Sequence, residues 1–82
     1  MTQEAQVAEL VRLIRLHGGV DAEHGCYWVA TDHERQEHGV FEKVTALVEQ
    51  LGLERIRPAP VGLIPGALGV AIARDPRINA AL

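Results

Sequence analysis

Serine is absent from this chain, and cysteine, lysine, phenylalanine, tyrosine and tryptophan occur once each. Without serine there is neither a serine nucleophile nor a G-x-S-x-G elbow. With Cys26 alone there is no internal disulfide, so a chain of 82 residues has no covalent staple to widen its thin stability margin. Lys43 falls on an amphipathic helical pattern, which is not the desolvated setting a Schiff-base lysine needs. No G-x-x-x-x-G-K-[ST] segment exists, which removes the P-loop nucleotide-binding proteins. The glycine-rich run from Gly62 to Gly69 lacks the strand-to-helix context of a dinucleotide fingerprint and reads as turn and close-packing glycines. The longest uncharged stretch, Pro58 to Ala73, is too short for a bilayer and is interrupted by Pro60, Pro65 and three glycines. The opening MTQEAQVAEL has neither the basic nor the apolar region of a secretory leader. The expectation is a cytoplasmic protein in a reducing compartment, with no membrane association.

What is present fits one small domain over residues 1–82, since so short a chain cannot build two cores. The apolar fraction of 48% is that of a folded protein, and it is carried mainly by Ala, Val, Leu and Ile. A core of small aliphatics packs closely but buries little area per residue, which favours help from a partner chain or a metal. Charge is unevenly spread. Residues 1–54 hold ten acidic against four basic side chains, whereas residues 55–82 hold one acidic against four basic. This asymmetry suits head-to-tail pairing with another copy or a local anionic ligand, and it lacks the basic stripe of a nucleic-acid binder.

Along the chain, Val7, Leu10, Val11 and Ile14 recur at helical spacing, predicting a helix over residues 4–17 closed by Gly18-Gly19. Leu13 and Leu16 widen its apolar stripe, consistent either with cover on two sides or with a partner-facing surface. Residues 20–30 read as a turn followed by a strand, Cys26 to Ala30, with Val20 as an alternative first hairpin arm. Thr31-Asp32-His33-Glu34 has the form of a capping box, so a second helix is expected from Thr31 to Leu51, with a possible break at Gly39. Leu53 to Arg57 reads as a strand that Pro58 and Pro60 confine to an edge. Leu63 to Gly66 contains a turn, Leu68 to Ala73 is a strand, and residues 77–82 form a tail after Asp75-Pro76. The resulting order α-β-α-β-β predicts an α+β fold, two helices on one face of a small, mainly antiparallel sheet. A winged-helix arrangement is the alternative, disfavoured because the second helix starts acidic where a recognition helix is basic.

Three functional readings follow. The first is a non-enzymatic interaction or regulatory module, acting as a homo-oligomer or bound to a larger protein, with Leu13, Leu16, Trp28, Arg55 and Arg57 as candidate partner-binding residues. The second is a Zn²⁺-binding domain. His24, Cys26, His33 and His38 are potential ligands, but neither C-x-x-C nor H-x-x-x-H occurs, and His33 and His38 point in different directions on a helix. The third is a small enzyme subunit with an inter-chain site around Cys26, a histidine base and Arg55 or Arg57.

Overall fold

The computed structural model describes residues 2–31, 36–57 and 69–82. Helix α1 (Gln3–His17) is capped by Thr2, whose hydroxyl accepts the Ala5 N–H at 3.1 Å. Glu4 sits in its first turn and Arg15 and His17 in its last, each complementing the helix dipole. Strand β1 (Gly18–Asp21) follows with no intervening loop. It forms a hairpin with β2 (Cys26–Ala30), and the turn between them closes at Gly25, whose φ of 63° is the left-handed conformation glycine adopts freely. Thus the hairpin with Val20 on its first arm is the arrangement that forms.

Helix α2 spans Val40–Gln50. The helix expected over Thr31–Leu51 is thus not continuous: Thr31 and residues 36–39 are not helical, and residues 32–35 lie outside those described. Gly39, at φ 78°, supplies the left-handed turn into α2, and no side chain caps it. The bond expected between Thr31 and Glu34 falls on residues outside those described. Residues 36–39 carry no large apolar side chain to hold a helical turn against the core, and the first buried residue of the helix is Val40.

After a turn at Gly52, β3 is limited to Arg55–Ile56, and β4 runs Gly69–Ala73. The expected turn at residues 63–66, and Leu68 at the strand's start, lie outside the described residues. The final segment is a helix, α3 (Pro76–Ala81), and not a tail. Asp75 and Pro76, read as a stop, are its N-cap and first residue: the Asp75 carboxylate accepts the Arg77 N–H at 2.9 Å.

The order is thus α-β-β-α-β-β-α, and the sheet runs β1-β2-β4-β3 with every pairing antiparallel. Because β4 lies inside the sheet beside β2, β3 and β4 do not form a separate wing. Alternation sets the two faces. Tyr27, Val29, Val70 and Ile72 point to the helices and join Leu10, Leu13, Ile14, Val44, Leu47 and Ile78 in one core. Trp28 and Cys26 point the other way, where the Trp28 ring lies against Gly19: a Cβ there would come within 3.3 Å of it. No helix among the described residues is long and apolar enough to cross a membrane.

Tyr27 is the largest fully buried side chain. Its hydroxyl accepts the Asp75 N–H at 3.2 Å and is placed to donate to the Asp75 carbonyl, 3.0 Å away, or to the Asn79 side-chain oxygen. Tyr27→Phe should lower stability by about 1–2 kcal/mol by leaving these groups unpaired. In thermal unfolding that is a fall of roughly 4–8 °C per kcal/mol for a domain of this size, and an unchanged midpoint would show that the hydroxyl does not secure α3.

Candidate functional site

Of the residues expected to bind metal, the three that are described, His24, Cys26 and His38, do not come together. His24 lies in the exposed β1–β2 turn, its Nδ1 2.5 Å from an Asp21 carboxylate oxygen. That pair raises the histidine pKa and lowers the aspartate pKa, each chiefly through the shared hydrogen bond. Cys26 is fully buried within β2, and His38 is exposed in the turn before α2. His33 lies outside the described residues. Among the described residues, the one set of donor atoms close enough to share an ion is Asp21, Glu23 and His24, all within 4.8 Å of one another. His24, Cys26 and His38 do not form such a set. Burial, and secondarily the Asp21 charge, pushes the Cys26 thiol pKa up, which favours the protonated, unreactive form.

A denser polar cluster, absent from the sequence-based expectations, centres on Glu37. Its carboxylate accepts Arg12 at 2.7 and 3.1 Å and Lys43 at 2.6 Å, with the His17 ring nitrogen at 3.3 Å. Arg12 also donates to Glu9 at 3.0 and 2.5 Å. Helix α1 supplies Arg12, Glu9 and His17 and α2 supplies Lys43, so Glu37 ties the segment between β2 and α2 to both helices. Glu37's three partners lie six, twenty and twenty-five positions from it, and no sequence period marks them. The hydrogen bonds from Arg12, then Lys43, then His17 hold the Glu37 carboxyl well below the usual carboxylate range. The cluster's internal hydrogen bonds clamp Glu37 to both helices.

The candidate partner-binding residues separate by burial. Leu13 is part of the core and is not available at the surface. Leu16 is 62% exposed, more than Val20 at 46% or Phe41 at 43%. It lines an open groove of about 420 Å³ between α1 and α3, together with Ala8, Val11, Arg12, Arg15 and Ala81. A second groove of about 280 Å³ lies across the shared Ala8–Ala81 saddle, with Val7 and Glu4 in its wall. Small side chains at the helix crossing keep this surface concave.

Trp28 is half-buried against Gly19. Arg55 stands under Phe41 of α2, its guanidinium carbon 5.6 Å from the ring centroid, in cation–π geometry. Its Nε is buried with no hydrogen-bond partner among the described residues. Burial, then the neighbouring Arg57, lowers its pKa. Arg57 is exposed beyond the end of β3. No family model, curated protein or solved structure matches the chain.

Two outcomes follow from this geometry. Cys26 should resist a thiol reagent in the folded protein and react fully once denaturant is added; rapid labelling of the native chain would contradict its burial. Glu37, whose folded pKa is depressed, contributes stability that is present above the ordinary carboxylate pKa and lost as pH falls through and below about 4.3. Urea unfolding should therefore show a falling midpoint with acidification, and Glu37→Gln should lower the neutral-pH midpoint and flatten that fall. Parallel curves for the two proteins would show that the clamp adds nothing.

Proposed function

We propose that this chain is a non-enzymatic protein-interaction module that works with a second copy of itself or with a larger protein. The observation that carries the reading is Leu16, a large apolar side chain mostly in water at the mouth of an apolar groove between α1 and α3. Scattered surface leucines are common, but one beside a concave apolar surface of small residues supplies both an anchor and a place for a partner's anchor. Arg12 and Arg15 on the groove wall add charged rims of the kind that fix orientation.

The reactive groups support the same reading by their engagement elsewhere. The one thiol is buried, and Glu37 is enclosed by cations. A photo-crosslinking amino acid placed at Leu16 should, on illumination in cells that express the chain naturally, join it to one defined polypeptide, a second copy included. The same residue placed at the exposed Glu49 should not. Equal, diffuse labelling from both positions would defeat the proposal.

A further inference from the structure

We infer that the free edge of β1 pairs antiparallel with β1 of a second copy of this chain, joining two four-stranded sheets across a two-fold axis. The inference rests on the interaction-module reading and names its partner. Among the described residues β1 lies at one end of the sheet and β2 is its one strand partner, so apart from the Gly18 N–H, which the Ile14 carbonyl accepts, alternate backbone N–H and C=O groups along it face outward. Natural edges are blunted by lysine, proline, a bulge or a covering element. Strand β1 reads Gly18-Gly19-Val20-Asp21 and carries no lysine or proline, and two of its four residues have no side chain to hold another backbone away. The Asp21 carboxylate is drawn back onto the turn by His24. The opposite edge, β3, has only two residues and is followed by Arg57 and Pro58.

Apolar exposure gathers at the same edge. Val20 is in register with Tyr27, so its side chain lies on the helix side of the sheet, and Leu16 is in the last turn of α1, two residues before β1. These are the two most exposed large hydrophobic side chains among the described residues.

Charge selects a second copy over an arbitrary strand. Strand β1 leads out of the last turn of α1, which carries Arg15, and into a turn that carries Glu23, while His17 and Asp21 are already engaged by Glu37 and His24. Antiparallel pairing sets each chain's basic end beside the other's acidic end, and the two-fold axis repeats the match. Parallel pairing would set like against like. Arg15 donates to the Ala81 carbonyl at 3.2 Å and makes no ion pair among the described residues, and neither does Glu23.

Sedimentation velocity of the full chain, taken up to millimolar concentration, should show a reversible dimer. Val20→Lys should give a monomer with the parent's circular dichroism. Glu23→Arg should weaken association roughly tenfold, and adding Arg15→Glu to it should restore the dimer. This charge exchange involves only exposed side chains, so it decides the matter even if Val20→Lys fails to fold. A monomer at every concentration, a dimer indifferent to these changes, or no rescue by the double exchange would overturn strand pairing. If the chain is monomeric yet still crosslinks another protein through Leu16, strand pairing falls and the interaction reading stands. If Leu16 crosslinks nothing, that reading falls.

Discussion

The helix side of the sheet is organised around burying one aromatic ring without stranding its hydroxyl. Tyr27 is the largest of the fully buried side chains, in a core otherwise built from aliphatics. A buried phenol requires polar partners, and the backbone of Asp75 and the side chain of Asn79 provide them. That requirement fixes where the last helix begins. Once Asp75 is held, Pro76 and Arg77 follow in helical geometry, Ile78 enters the core, and the Arg77 guanidinium reaches the Leu51 carbonyl at the end of α2 at 2.8 Å. A strand in the middle of the sheet thus sets the position of a helix that in turn secures the end of another.

Electrostatics do complementary work on the opposite side of α1. Residues 36–39, ahead of α2, are tied to the two helices through Glu37, whose carboxylate meets Arg12 and His17 of α1 and Lys43 of α2. Exposed ion pairs taken singly contribute little. A carboxylate shared by several donors differs because each added cation orders a group already partly ordered, so the network defines a position even where its net energy is modest.

Periodicity made the main elements legible. Val7, Leu10, Val11 and Ile14 mark α1, strand-forming residues mark β2, alternation marks β4, and the proline after Arg57 limits β3 to an edge or ends it. Two boundaries were misread for identifiable reasons. Thr31 carries good capping chemistry, but a cap stabilises a helix only when a buried face follows, and the first such residue is Val40. Asp75-Pro76 is equally a helix stop and a helix start; only the burial of Ile78 separates the two, and one apolar residue leaves no period. The surface was less legible than the fold. Leu13 and Leu16 look alike in sequence, and a rotation of three residues around α1 puts one in the core and the other in water. The Glu37 clamp joins residues with no fixed spacing, which a single sequence does not reveal.

The direct passage of α1 into β1 has a mechanical consequence. With no loop between His17 and Gly18, and with the Gly18 amide still bonded to the Ile14 carbonyl, helix and strand form a bent lever with a stiff elbow. The elbow is pressed so closely onto β2 that a Cβ on Gly18 would overlap the Trp28 carbonyl. The joint therefore depends on a residue with no side chain: anything larger at Gly18 would push the end of α1 off β2 and lose the seat of the helix on the sheet.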